Sequence, residues 1–189
     1  VADPTMRALK LLRGEAQLVQ NDLPGELYDV LADSGRLRLR QAPGTTFAYI
    51  GFNLADPLLA RPGIRAAIAH AIDREAIVRH LFGGRARVAE SVLPPGHWAA
   101  ATDLVPHAHD PAMARHRLRQ AGFDEQRPLV LSYKTSTDPF RLRIAHVLQS
   151  QLAAVGIRLE IASYDWGTFF GDIKAGRFQM YSLAWVGIK

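Results

Sequence analysis

The sequence predicts a layered α/β fold, with a mixed β-sheet flanked by helices. The second half of the chain alternates three times between a helix and a strand joined by short links, which is typical of this class. Asp-Pro pairs at 110–111 and 138–139 predict helix starts, because Asp accepts from free backbone N–H groups and Pro suits the first helical position. Glycines at 122, 156 and 176 predict helix ends, since glycine readily takes the left-handed conformation found there.

Apolar spacing locates the elements of the second half. Helices are predicted after Asp110, after Asp138 and after Asp165, the second with an apolar face. That face consists of Phe140, Ile144, Val147, Leu148 and Leu152. Strands are predicted at 129–133, 157–161 and 178–186, and the last is expected to be buried on both faces. We expect the helices to bury Ile144, Val147, Leu148, Phe169 and Phe170.

The first half predicts a mixture of helices and strands. Helices are expected at 6–13, at 25–32, from Pro62 onward and after Asp73, the last ending at Gly83-Gly84. Strands are expected at 17–20, 37–40 and 47–53. Residues 86–106 predict a long loop. We therefore expect one lobe, 1–189, made of a mixed α/β half, 1–109, and a half of repeated helix–strand units, 110–189.

Composition is that of an ordinary globular domain, with 189 residues, 48% of them hydrophobic and 22% charged. The absence of cysteine excludes disulfides, thiolate metal sites and a cysteine nucleophile. The net charge of +5 comes largely from scattered arginines, for example Arg36, Arg38 and Arg40 alternating with leucines. Such scatter favours a solvated surface over a nucleic-acid-binding footprint.

Neither end of the chain reads as a natural terminus. Residues 1–5 lack the start Met and the basic and apolar segments of a signal peptide, and 187–189 directly follow a predicted strand. We therefore expect a piece cut from a longer protein, with Val1 and Lys189 on the same side of the molecule, near Asn53. No stretch approaches the ~20 apolar residues of a membrane helix.

Residues with catalytic or metal-binding chemistry are few and isolated. His107, His109 and Asp110 could offer two imidazoles and a carboxylate to a metal, but Asp110 is already needed as a helix cap. The serines lack the flanking glycines of a nucleophile elbow, and capping explains Asp165. We therefore assign no catalytic residue, no metal and no cofactor.

One segment resembles a known family. Residues 61–78 read RPGIRAAIAHAIDREAIV, which closely resembles the RxxVRxAxxxAIDRxxI segment of bacterial extracellular solute-binding proteins, a family that includes oligopeptide-, dipeptide- and nickel-binding receptors. Other pieces resemble elements of that family in the same order. They are Leu11–Ala16, Tyr49–Asn53, Leu93–Pro95, His109–Ala114, Ala121–Gly122, Leu152–Ile157 and the strand ending at Trp185.

The resemblance implies a non-enzymatic, periplasmic-binding-protein-like lobe. Receptors of this family hold their ligand between two lobes and present the closed form to an ABC permease in the inner membrane. The implied lobe is the smaller one, with both chain ends at the hinge. The parent would be a monomer in the periplasm, or a cell-surface lipoprotein, that binds a peptide or another small solute and no nucleic acid.

The resemblance also implies a ligand site. Trp185, Asn53 and Tyr49 are its candidate ligand contacts, with simple core packing as the alternative for Trp185. Peptide-binding relatives tend to carry an Asp three residues after the Trp of the final strand, where it pairs with the ligand's α-amino group; here that position is Ile188. Its absence weakens the expectation of an ordinary free-amine peptide ligand.

Two other classes remain as alternatives. A hydrolase or transferase domain would need a converging nucleophile and base, which the sequence does not offer. A nucleic-acid-binding module would use the positive charge and would show salt-dependent binding.

Overall fold

The computed structural model of the chain describes residues 1, 3–20, 23–42, 44–93, 97–101 and 103–187. Four of its helices begin directly after an aspartate, which is Asp3, Asp110, Asp138 or Asp165. The helices are α1 (Pro4–Leu12), α2 (Gly25–Asp33), α3 (Pro62–Ala71), α4 (Arg74–Leu81), α5 (Pro111–Gln120), α6 (Pro139–Ala153) and α7 (Trp166–Lys174). The strands are β1 (Phe47–Phe52), β2 (Leu129–Ser136), β3 (Ile157–Tyr164) and β4 (Met180–Trp185).

The predicted helix caps of the second half are confirmed. The Asp110 carboxylate accepts from the N–H of Met113 at 2.8 Å, and Asp138 accepts from that of Arg141 at 2.9 Å. Each such cap stabilises a helix by about 1 kcal/mol, because it satisfies a backbone donor that has no partner inside the helix. The predicted stops at Gly122, Gly156 and Gly176 all have positive φ, between 71° and 89°.

The four strands form one mixed sheet in the order β1-β4-β2-β3. Strand β2 runs parallel to both β3 and β4, while β1 runs antiparallel to β4 at the edge. The path β2-α6-β3-α7-β4 therefore makes two successive parallel crossovers, as the alternation of elements predicted. The mixed α/β fold is confirmed.

Side chains alternate across β2, and one face of this strand forms the core of the sheet. Leu129, Leu131 and Tyr133 are fully buried on that face. On the other face Lys134 points to α7, since its Nζ lies 2.5 Å from the carboxylate of Asp172. Helix α6 packs on β2 and β3 and buries Ala145, Leu148 and Leu152.

The predicted set of buried helix residues is partly wrong. Leu148 and Phe169 are buried, at 3% and 1% exposure, but Ile144 and Val147 are only half-buried and Phe170 is 38% exposed. Phe170 lies one position past the inward face of α7 and stacks on Trp166 instead, with ring centroids 5.4 Å apart.

The last strand is not buried on both faces as predicted. It begins at Met180, two residues later than expected, and only Met180 of its residues is buried. Helices α6 and α7 pack mainly on β2 and β3 among the described residues, so the β1–β4 half of the sheet has little helical cover.

The strands predicted at 17–20 and 37–40 are also wrong, because both stretches lie outside any strand. The Leu-Arg alternation at 37–40 has no neighbouring strand to pair with, and alternation alone does not stabilise an isolated strand. The Pro94-Pro95-Gly96 turn of the predicted loop lies outside the described residues.

Contacts within the chain define two compact units. The first comprises 1–44 and 75–88, and the second comprises 45–74 and 89–189. In the first, α1 and α2 pack together and bury Ala8 and Leu31, and the Arg85 guanidinium lies 2.5 Å from the carboxylate of Asp29.

The second unit contains the whole sheet, together with α3 and α5–α7. Helix α3 packs on α5 and buries Ile64 and Ile68, two of the isoleucines of the 61–78 segment. Ile72 is buried as well, whereas Ile77 on α4 is only half-buried. That 1–189 forms a single lobe stays a prediction, as does the placing of the termini, since Lys189 is not among the described residues.

Candidate functional site

The uncovered half of the sheet carries an aromatic face. The β1–β4 register pairs Phe47 with Trp185 and places Tyr49 and Tyr181 on the same face, because residues two apart along a strand share a face. Their rings form a chain of contacts, with centroids 5.8 Å apart from Phe47 to Tyr49 and 6.0 Å apart from Tyr49 to Tyr181. We call these four residues the aromatic face. Two of the three predicted site residues, Tyr49 and Trp185, therefore lie together.

The Tyr49 hydroxyl lies next to two other side chains of the aromatic face. Burial and the neighbouring Tyr181 hydroxyl raise the pKa of Tyr49 to about 12, while the Trp185 side chain acts in the opposite direction. Tyr49 is therefore neutral at physiological pH. The Trp185 side chain is 58% exposed, so an aromatic ring faces outward at the end of β4.

Asn53, the third predicted site residue, follows directly on β1. Its side-chain amide donates to the carbonyls of Gly176 at 3.1 Å and Phe178 at 2.8 Å, and its Oδ1 accepts from the N–H of Ala55 at 3.0 Å. Both amide donors are thus used to hold the end of β1 against the link between α7 and β4. A contact between Asn53 and a ligand stays a prediction.

A second polar network fixes the same link and was not predicted. Gln179 donates to Asp56 at 2.9 Å, and its carbonyl oxygen accepts from the backbone N–H of Ser132 at 2.7 Å. Burial alone would raise the pKa of Asp56, but hydrogen bonds from Gln179 and from the backbone N–H groups of Leu59 and Leu58 outweigh it and lower this pKa. A Gln just before an apolar strand does not by itself indicate that its side chain links Asp56 to Ser132.

A small pocket of about 130 Å³ lies at the edge of the sheet where the parallel strands β2 and β4 end. Open α/β sheets bind ligands outside the carboxyl ends of their strands. The polar lining residues are Ser136, Arg141 and Ser182, and the apolar ones include Trp166, Phe169, Leu183 and Val186. We call this the edge pocket. The sequence did not indicate that Arg141 and Trp166 line a pocket, although both stand close to a predicted helix start.

The face of β2 next to α7 carries an ion cluster. Asp172 pairs with Lys134 at 2.5 Å and with Arg177 at 2.8 Å. Hydrogen bonds from Lys134 and Arg177 lower the pKa of the Asp172 carboxyl. The cluster carries a net charge of +1 and links β2 to the end of α7.

The histidine-rich segment does not assemble into a metal centre. His109 lies 3.6 Å from the carboxylate of Asp73, and His70 shares a hydrogen bond of 2.9 Å with the carbonyl of Ala108. The His107 ring meets the edge of the His70 ring at 4.9 Å. Across the described ranges, no group of three or more His, Asp or Glu side chains is placed to hold a metal ion.

Comparison with known proteins shows which family the chain is similar to. Residues 1–189 match the family described as bacterial extracellular solute-binding proteins, family 5 middle. The chain belongs to this family. The resemblance of the 61–78 segment is thus confirmed.

Relatives in this family are much longer than the chain. It is 29% identical over 188 residues to di/tripeptide-binding protein 1 of Pseudomonas aeruginosa, covering 98% of the chain and 35% of that protein. It is 33% identical over 178 residues to the probable ABC transporter periplasmic-binding protein SapA of Escherichia coli, covering 93% of the chain and 30% of that protein. The chain thus spans about a third of the length of these relatives.

Solved structures share the fold. NikA from Brucella suis, in complex with Fe(III)-EDTA, superposes with a TM-score of 0.90 at 21% identity, over 98% of the chain and 40% of that structure. The periplasmic binding protein DppA from Helicobacter pylori, in complex with a peptide, gives 0.87 at 23% identity, over 99% and 36%. The periplasmic-binding-protein-like architecture is therefore confirmed.

Two further expectations from the sequence concern membrane helices and the position of Ile188. None of the helices in the described part of the chain is long and apolar enough to cross a membrane. Ile188, at the position where peptide-binding relatives tend to carry an Asp, lies outside the described residues.

Proposed function

We propose that the chain is the smaller lobe of a two-lobed receptor, the substrate-binding component of an ABC-type importer. The receptor would capture a peptide or another small solute between its lobes and deliver it to a permease in the inner membrane. Family membership supports this, as does the match to about a third of longer relatives named as di/tripeptide-binding and periplasmic-binding proteins.

The observation that carries the proposal is the position of Trp185. Its ring is 58% exposed at the carboxyl end of β4, with the Tyr49 side chain on the same face. Leu183, two residues before Trp185 on that face, lines the edge pocket. An exposed aromatic ring near a pocket is suited to bind a ligand, because it offers a large apolar surface together with a polar N–H group.

In this proposal the three predicted residues have different roles. Trp185 contacts the solute directly, and Tyr49 lies beside it on the same face of the sheet. Asn53 keeps β1 aligned with β4, and only its Oδ1, which has a second lone pair, is left to meet a solute.

The rest of the proposed biology follows from the family. The receptor acts in the periplasm, or at the cell surface as a lipoprotein, as a monomer with no catalytic activity, no cofactor and no nucleic-acid partner. Closure of the second lobe over the aromatic face would exclude water from the contacts with the solute.

The test uses the two-lobed receptor with Trp185→Ala and, as a matched control, Trp98→Ala. Trp98 is 91% exposed and does not line the edge pocket. Calorimetry against di- to pentapeptides and small solutes should show binding to the wild type. Trp185→Ala should weaken it at least tenfold, about 1.4 kcal/mol, and Trp98→Ala should leave it unchanged. Equal affinity in the wild type and Trp185→Ala would contradict the proposed site.

A further inference from the structure

Four basic side chains lie around the segment that leads into α5. They are His70 in the last turn of α3, Arg74 at the first position of α4, His107 in the segment itself and Arg117 on α5. All four belong to the second compact unit, and none of them lines the edge pocket. We call these four residues the basic cluster.

Contacts with the backbone hold two of these side chains in place. The Nδ1 of His70 lies 2.9 Å from the carbonyl oxygen of Ala108. The Arg74 guanidinium donates to the carbonyl of His107, whose ring meets the edge of the His70 ring with centroids 4.9 Å apart. Because a carbonyl only accepts, the His70 contact keeps a proton on Nδ1 and leaves Nε2 as a donor only in the protonated ring. The fold therefore sets the positions of these donors.

Positive charge accumulates around His107. Partial desolvation lowers the pKa of His107, and the positive charges of His70, Arg74 and Arg117 lower it further. The side chain of His107 is exposed and the other three are half-buried, so a small ion can reach the cluster from solvent. An anion bound there would relieve the repulsion among these groups.

The protein does not supply that anion from its own acidic side chains. The Nε of Arg117 is buried and has no hydrogen-bond partner among the described residues, which is uncommon for a donor on a charged group. Two carboxylates of the same region are engaged by other groups. Asp73 lies 3.6 Å from the Nδ1 of His109, and Asp110 accepts from the first turn of α5 as its cap.

We propose that the basic cluster binds a phosphate group, at a site separate from the aromatic face and the edge pocket. Guanidinium groups match the oxygens of phosphate, and a tetrahedral anion accepts hydrogen bonds from donors that approach from several elements. The two arginine charges also repel a metal cation, so the pair of imidazoles favours an anion. This inference does not depend on the proposed function.

The phosphate has two sources, the free anion and the headgroup of a lipid. Inorganic phosphate is titrated into the isotopically labelled chain, with chloride at equal ionic strength as the control for screening. The imidazole NMR signals of His70 and His107 should saturate with a dissociation constant on the order of 1–10 mM, and the pKa of His107 should rise, because a bound anion favours the imidazolium. Chloride should do neither.

Sedimentation with vesicles of phosphatidylcholine, with or without phosphatidylglycerol, separates the two sources. Saturation by inorganic phosphate without retention on the vesicles assigns the free anion. Retention on the vesicles that contain phosphatidylglycerol, and not on phosphatidylcholine alone, assigns the lipid headgroup.

The variants are Arg117→Gln and, as a matched control on the same helix, Arg119→Gln. Each removes one positive charge and introduces a residue that favours a helix. Arg117→Gln should weaken phosphate binding about fivefold, as expected for a partly exposed charge pair, and Arg119→Gln should leave it unchanged. Arg117→Lys keeps the charge and should keep part of the binding, which separates loss of charge from loss of packing.

Three results would each overturn the proposal. The first is an equal effect of phosphate and chloride on His107, which would show screening alone. The second is an equal loss of binding in Arg117→Gln and Arg119→Gln, which would show a general response to net charge. The third is the absence of both phosphate saturation and vesicle retention.

Discussion

The ring of Tyr181 lies across Gly51 on the neighbouring strand. A Cβ at Gly51 would stand 2.3 Å from the Tyr181 ring, far inside van der Waals contact. Gly51 pairs directly with Tyr181 in the β1–β4 register, and Phe178 packs edge-on against the same ring at 4.8 Å. The glycine therefore makes room for an aromatic ring that would otherwise stand away from the sheet, and that ring meets Tyr49 edge-on, with centroids 6.0 Å apart.

Gly51→Ala should displace Tyr181 and destabilise the fold. Overpacking of this kind typically costs about 1–3 kcal/mol. Gly63→Ala is the matched control, because Gly63 lies in α3 with open space around its Cα, and it should be neutral or slightly stabilising. Urea denaturation measures both. Equal free energies of unfolding for Gly51→Ala and the wild type would show that Tyr181 is free to move aside.

Tyr49 should ionise about two pH units later than an ordinary tyrosine, with a pKa of about 12. Its pKa is raised in the folded state, so its contribution to stability is fully present below pH ~10 and is lost as the pH rises from ~10 to ~12. The difference in tyrosinate absorbance between the wild type and Tyr49→Phe isolates this titration. Trp185→Phe removes the indole donor and should raise the midpoint further. A midpoint near 10 in the wild type would contradict the contacts of the aromatic face.

His107 should destabilise the fold at acid pH. Its side chain is exposed overall, but partial desolvation lowers its pKa. The positive charges of His70 on α3, Arg74 on α4 and Arg117 on α5 lower this pKa further. The unfolded chain therefore binds this proton more readily, and stability falls as the pH drops below ~6.5, the unfolded pKa.

The free energy of unfolding is measured for the wild type and His107→Gln from about pH 7.5 to about pH 5. Histidine side chains titrate in this range. The acid loss should be smaller in His107→Gln. His116→Gln on α5 serves as the control, because His116 is not among the charged groups around His107, and it should keep the wild-type slope. Identical slopes in all three proteins would show that His107 titrates normally.

The chain by itself should fold but bind no peptide with micromolar affinity. A receptor of this kind takes its affinity from both walls of a closed cleft, and loss of ~4 kcal/mol of contacts lowers affinity about a thousandfold. Calorimetry of the isolated chain against a pool of di- to pentapeptides checks this. A micromolar isotherm would mean that the site is complete within these residues.

Sequence patterns located most elements correctly because their signals are local. The Asp caps at 110, 138 and 165, the glycine stops and the alternating strands each depend on residues within one turn or one strand. The 61–78 segment named the family for the same reason, since its pattern is read along the chain. Local patterns also explain the errors at 17–20 and 37–40, where alternation had no pairing partner.

The sequence by itself determined the class of fold, the family and two members of the aromatic face, Tyr49 and Trp185. Only the tertiary structure decided that Trp185 lies beside Tyr49, that Tyr181 lies over Gly51 and that Arg141 lines a pocket beside Ser182. These pairs are separated by tens of residues or more along the chain. They meet because the two crossovers bring β4 between β1 and β2, and this pairing depends on the burial of the whole sheet rather than on any local pattern.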